Sequence, residues 1–161
     1  MAELKSVLEE LKFQNARTIL ASGNVLFNAP KHTNVALARV IEGKLKEILG
    51  HDIGVVARSL AEIQALAESG PFKKIKVTPL TRLYVTFLAE KWKSDLKIPW
   101  ITPEKDFRII RVTDTEVCSL VTLSPTRQTT EAMSILEKEF GKQITTRNWN
   151  TIEKIIKAAK A

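Results

Sequence analysis

The chain has a single cysteine, Cys118, among its 161 residues, so no disulfide can form within it. Its stability must come from packing. Histidine is nearly as scarce, with His32 and His51 alone. Neither has a second ligand at helical or zinc-like spacing, so no metal site is expected. His51 follows a helix end, where a cationic imidazole suits the negative pole, and capping is the better account of it. The six glycines are scattered and form no phosphate-cradling loop. Ser22 sits beside Gly23, but no Gly-x-Ser-x-Gly elbow surrounds it. No apolar run approaches the ~20 residues needed to cross a bilayer. The opening Met1-Ala2-Glu3-Leu4-Lys5 lacks the basic-then-apolar pattern of a signal peptide. These absences point away from membranes and secretion and toward a soluble cytoplasmic protein. They define no catalytic residue, cofactor or metal. Cys118 itself falls within an expected strand, where a thiol is buried and inert.

What is present is globular. Apolar residues make up 44% and charged residues 27%, the balance of a folded domain rather than a disordered one. A chain of this length buries roughly 70% of its unfolded surface and needs no staple. The formal net charge is +7, which favours nucleic acid or another anion as partner. Against that, the lysines are dispersed (Lys73, Lys74 and Lys76; Lys91, Lys93 and Lys97; Lys154, Lys157 and Lys160) and no arginine-rich tract occurs. A solvated basic surface is the plainer reading.

Leu4, Val7, Leu8 and Leu11 recur at helical spacing over residues 2–13. Two apolar runs, Arg17 to Leu20 and Val25 to Phe27, flank Ser22-Gly23-Asn24, a hairpin turn. Residues 33–49 carry Leu37, Ile41, Leu45 and Ile48 on one stripe, with Thr33 as N-cap and Gly50 just past the end. Ile53 to Arg58 reads as a strand. Ser59 and Glu62 form a capping box for a third helix, which Gly70-Pro71 stops. Residues 71–81 are a basic, proline-bounded loop and the best internal boundary. Beyond it Leu83, Val85 and Phe87 alternate along a strand, and residues 90–98 read as a short helix before Pro99. Phe107 to Val112 and Val117 to Leu123 form a second hairpin about Thr113-Asp114-Thr115. Residues 128–140 form a helix facing inward through Ala132, Met133, Leu136 and Phe140. Gln143 to Thr145 reads as a short strand, and Asn150 with Glu153 as a capping box for a last helix.

The second half, residues 82–161, thus reads βαββαβα, and the first, residues 1–70, repeats that order without its opening strand. The βαββαβ series is the ferredoxin-like arrangement. The expected fold is α+β, two ferredoxin-like halves packed together about the 71–81 linker. Without an opening strand, the run near Ile53 to Arg58 lacks a neighbour and its backbone groups stay unpaired. That unpaired edge is the expected route of any self-association.

Several segments resemble the domain-of-unknown-function family 1697, an uncharacterised bacterial family. They are Ser22-Gly23-Asn24-Val25, Arg58-Ser59, Leu83-Tyr84-Val85-Thr86-Phe87 and, most specifically, Thr145-Thr146-Arg147-Asn148-Trp149-Asn150-Thr151. The resemblance runs over nearly the whole chain. It implies the duplicated α+β fold and no established activity, ligand or catalytic residue. It also implies an apolar strand and a Gly-rich turn ahead of the first helix, where this chain has Met1. Before the fourth helix it implies a lysine-containing basic turn, where this chain has Ser124-Pro125-Thr126-Arg127-Gln128.

Thr145, Thr146, Arg147, Asn148 and Trp149 form the strongest local constellation. Two hydroxyls, a guanidinium and a carboxamide precede a helix N-terminus, whose free N–H groups and dipole favour an anion. Arg147 can grip a phosphate or carboxylate with two donors, and Trp149 can stack on a base or sugar. The competing account has Trp149 filling the core, Asn148 and Asn150 capping, and Arg147 paired with an acid. Ser22, Asn24 and Arg127 are secondary candidates for the same ligand. Trp92 and Trp100 lie among lysines around Pro99, a composition that suits single-stranded nucleic acid. No strand carries the Gly-Phe-x-Phe-type signature of the ferredoxin-like RNA module, and Tyr84 and Phe87 alternate to opposite faces. The leading expectation is a protein that binds an anionic ligand, nucleic acid among the candidates, without catalysis. An enzyme acting on a small anionic metabolite in a groove between the halves, and a structural or interaction protein, stay open.

Overall fold

A computed structural model describes residues 2–19, 23–92, 95–125 and 127–160. Ser22, Leu20, Lys93 and Thr126, which the sequence reading used, lie outside the described residues. The chain is α+β with two antiparallel sheets. It divides into two compact units, residues 1–63 with 153–161, and residues 64–152.

The first unit opens with helix α1 (Ala2–Glu10), followed by strands β1 (Gln14–Ile19) and β2 (Asn24–Asn28). The two strands form an antiparallel hairpin, with Thr18 opposite Val25 and Ile19 opposite Asn24. Helix α2 (Asn34–Leu49) begins where Thr33 accepts a hydrogen bond from the Ala36 N–H, and ends at Gly50, whose φ of 78° few other residues tolerate. Val7 and Leu8 of α1 and Ile41 and Leu45 of α2 form the buried core, with Phe13, Val25 and Phe27 against it. Phe13 and Phe27 stack at 5.1 Å. Helix α3 (Leu60–Glu68) starts on the expected capping box: the Glu62 N–H donates to Ser59 Oγ at 3.1 Å, and the Ser59 N–H donates back to Glu62 Oε1 at 3.3 Å.

Residues 53–58, expected as a strand, join no sheet among the described residues. Ile53 and Val55 still pack on the first unit's core. A strand is defined by its neighbour, and here the Val55 N–H donates instead to the Glu42 carboxylate at 2.9 Å.

The second unit is built on a five-stranded sheet. Its strands are β3 (Thr81–Leu88), β4 (Trp100–Ile101), β5 (Phe107–Val112), β6 (Glu116–Thr122) and β7 (Ile144–Asn148), in the order β4-β5-β6-β3-β7, and every neighbouring pair is antiparallel. Helix α4 (Thr129–Phe140) lays Ala132, Leu136 and Phe140 against Tyr84, Leu88, Phe107, Ile109, Val117 and Val121. Strand β3, between β6 and β7, is buried on both faces: Val85 and Thr86 are fully enclosed, and Phe87 and Leu88 nearly so. A run buried on both sides loses the polar alternation of a half-exposed strand, as Leu83-Tyr84-Val85-Thr86-Phe87 does.

Two further readings need correction. The described part of residues 90–98 is not helical. The Ala89 N–H donates to the Gln143 carbonyl at 3.0 Å and the Trp92 N–H to the Asp114 carbonyl at 2.9 Å. These bonds to distant backbone take the place of the local ladder a helix needs. The last strand runs on through Asn148, and helix α5 (Trp149–Ala159) follows without a turn. Its cap is Asn148, whose Oδ1 accepts from the Asn150 N–H at 2.9 Å, not Asn150.

Candidate functional site

The run Thr145 to Trp149 is a strand flowing into a helix, and strand geometry divides its side chains. Opposite β3, Ile144, Thr146 and Asn148 stand beside Leu88, Thr86 and Tyr84; Thr145 and Arg147 stand beside Phe87 and Val85 on the other face. The five residues therefore do not converge on one surface. Thr146 Oγ1 lies 2.8 Å from Thr86 Oγ1, a hydroxyl pair that satisfies the fully buried Thr86. Arg147 is partly buried, and its Nη1 donates to the Thr146 carbonyl at 3.0 Å. Burial lowers its pKa from the ordinary guanidinium value. Trp149 is partly buried and meets Phe72 edge-on at 5.2 Å.

Asn148 and Trp149 do line a shallow recess of about 170 Å³. Asn150 completes that wall, and the other consists of Val77, Thr81, Arg82 and Leu83, where the basic loop turns into β3. The loop is fixed locally: the Thr78 N–H donates to Thr81 Oγ1 at 3.0 Å. Arg82 Nη1 donates to the carbonyls of Pro79 at 2.9 Å and Thr81 at 3.1 Å. These bonds tie the guanidinium to the turn that leads into β3. The recess is smaller than the ~300–1,000 Å³ of pockets that enclose a small molecule. It suits one group of a larger ligand, with Arg82, two asparagines and Trp149 among its lining. The sequence reading found the basic loop and the Asn-Trp pair but missed Arg82. Its only local signal was a cation at the start of a strand, and its relation to Asn148 depends on the β3–β7 pairing.

The secondary candidates lie elsewhere. Asn24 is nearly buried in the first hairpin, its Nδ2 donating to the Ile19 carbonyl at 3.3 Å. Arg127 is matched by two acids, Nε to Asp106 at 3.0 Å and Nη2 to Glu104 at 3.2 Å. Its hydrogen bond to Asp106 raises its pKa. Burial works to raise the Asp106 pKa, but hydrogen bonds from Thr102 and Arg127 outweigh it and hold the carboxyl below its usual value. His51 Nδ1 lies 3.1 Å from the Leu49 carbonyl, at the C-terminal end of α2. Cys118 is enclosed in β6, and burial pushes its pKa up to about 11. Among the described residues no group of three or more histidines, cysteines or acids could hold a metal. Among the described residues no helix is long and apolar enough to cross a membrane.

The fold and these sites define a class: an α+β protein with a five-stranded antiparallel sheet and a polar recess lined by Arg82 and the start of α5. Residues 1–118 match the family described as "Protein of unknown function (DUF1697)", and the chain belongs to that family. No curated protein and no solved structure matches it. The matched span ends at Cys118, so Thr145 to Trp149 and the α5 side of the recess lie beyond it.

Proposed function

We propose that this protein binds an anionic ligand without catalysing its conversion, and that the ligand is a single-stranded nucleic acid held through its phosphates. The observation that carries the reading is the recess, which Arg82 lines together with Asn148, Trp149 and Asn150. A guanidinium next to a helix N-terminus attracts a phosphate. The small, open floor suits one backbone group of a long ligand. The net charge of +7 adds a general attraction. Tyr84 and Phe87 are both buried, which argues against base stacking on the sheet face. Arg147, on the other face of β7, takes a packing role in this reading. The finer fold follows the same inference. The order β5-β6-β3-β7 is that of a ferredoxin-like unit, with residues 71–81 as the link from a related first half, in a cytoplasmic protein.

The test is fluorescence anisotropy with a labelled single-stranded oligonucleotide of about twelve nucleotides. Affinity should fall at least tenfold between about 50 and 200 mM salt. Arg82→Ala should weaken binding at low salt and reduce the salt slope by about one, with Arg82→Lys restoring part of it. Absence of binding at the low-salt end, or an Arg82→Ala variant that binds unchanged, refutes the reading.

A further inference from the structure

Thr81, Arg82, Asn148 and Asn150 all line the recess, and their hydrogen bonds leave them different groups to offer. Thr81 Oγ1 accepts from the Thr78 N–H at 3.0 Å and lies 3.1 Å from Thr78 Oγ1, so it is already engaged. Arg82 commits Nη1 to two carbonyls. Its remaining groups, at Nε and Nη2, are donors only. Asn148 Oδ1 accepts from the Asn150 N–H at 2.9 Å, and the other end of that carboxamide, Nδ2, is again a donor. Asn150 is exposed, and its carboxamide makes no hydrogen bond among the described residues. Of the four side chains it alone combines donors with an uncommitted acceptor. A phosphate oxygen accepts and never donates, so Arg82 and Asn148 can serve it without an acceptor beside them. Val77 and Leu83 line the same recess, and Val77 is 59% exposed. Aliphatic side chains offer nothing to a bare phosphate, but they suit the carbon skeleton of a sugar attached to it.

We propose that the nucleic acid is RNA and that Asn150 is the residue that distinguishes it from DNA, by pairing its carboxamide with a ribose 2′-hydroxyl while Arg82 holds the adjoining phosphate. The inference rests on the nucleic-acid reading above and names the class of strand. In RNA the 2′-hydroxyl sits on the carbon next to the one that bears the 3′-phosphate. It is both donor and acceptor, and it is the group by which a protein tells the two nucleic acids apart. A carboxamide matches it because Oδ1 accepts its proton and Nδ2 donates to its oxygen. A deoxyribose presents only carbon there, and the Asn150 carboxamide then gains no partner from the sugar. Phosphate contacts alone carry no such distinction.

The experiment uses the full chain and three labelled single strands of about twelve nucleotides at about 50 mM salt: oligouridine, oligodeoxyuridine, and oligouridine with 2′-fluoro sugars. The base is the same in all three. The fluoro strand keeps the ribose pucker but cannot donate a proton. By fluorescence anisotropy the ribose strand should bind about fivefold more tightly than either of the others, the factor that one hydrogen bond carries. In Asn150→Ala that ratio should fall to about one. The substitution keeps the backbone N–H that Asn148 accepts from, so α5 keeps its start, and an unchanged urea midpoint checks this. Equal binding of ribose and deoxyribose strands by the unaltered protein overturns the proposal, and if that binding still needs Arg82 the anion reading stands. A fluoro strand that binds like RNA overturns it too, as does an Asn150→Ala variant that weakens all three strands alike, since Asn150 then meets a phosphate or the base. No binding of any strand overturns both readings.

Discussion

Replacing Thr146 by valine removes a hydroxyl 2.8 Å from that of Thr86, a residue with no exposed surface. The shape is nearly kept, so the loss is polar. The Thr86 hydroxyl stays enclosed without its partner, a penalty of about 1–3 kcal/mol. Thr86→Val should cost less, because Thr146 is only partly buried and can turn toward solvent. Removing both should cost little more than the cheaper single change, since no orphaned hydroxyl remains. The double-mutant cycle should therefore show a coupling of about 1–2 kcal/mol. Urea unfolding followed by tryptophan fluorescence gives the three differences. This decides between two readings of one sequence. If Thr146 is part of a ligand cradle at a turn, its loss costs little stability and the two changes simply add. Additive changes, with coupling near zero, would refute the pairing of β7 with β3 in this register.

Cys118 should label slowly with thiol reagents in native protein and at once in denaturant. With its pKa raised to about 11, the buried neutral thiol favours the fold below the unfolded thiol's pKa, and that contribution fades as pH rises toward 11; fast native labelling at pH 8 would contradict this. Asp106 has the opposite sign: its lowered pKa contributes stability above the unfolded carboxyl's pKa, lost as pH falls through the folded value. Asp106→Asn should thus flatten the acid limb of the stability profile below about pH 4, and an unchanged limb would show the Arg127 pairing to be unimportant. Ser119 Oγ, fully buried, has no hydrogen-bond partner among the described residues, so Ser119→Ala should be neutral or stabilise by up to about 1 kcal/mol in urea melts; a clear loss would reveal a hidden partner.

Features fixed by local chemistry were legible in the sequence. Thr33 and Gly50 bracket α2 because caps act within a few residues, and Thr113-Asp114-Thr115 turns β5 into β6 for the same reason. The failures share a cause, which is that their partners are distant. Ile53 to Arg58 has the composition of a strand but joins no ladder among the described residues. Residues 90–92 have helical polarity, yet their neighbourhood bonds to Asp114 and Gln143. Thr145 to Asn148 looks like a polar turn until β3 supplies Thr86 as a partner. The candidate site divided along the same line. Asn148 and Trp149 were visible as neighbours in sequence, whereas Arg82 joins them only through strand pairing. Arg127 read as a spare cation because Glu104 and Asp106, which match it, lie more than twenty residues upstream.

In the proposed function, anions are held at the recess that Arg82 lines. An NMR titration of the full chain with a single-stranded oligonucleotide of about twelve nucleotides, at about 50 mM salt, tests it most directly. The amides of Thr81 to Leu83 and Asn148 to Asn150 should shift first and furthest, with the Arg82 side-chain resonances, and return as salt is raised. Shifts that leave these residues untouched, or none at all, would contradict it.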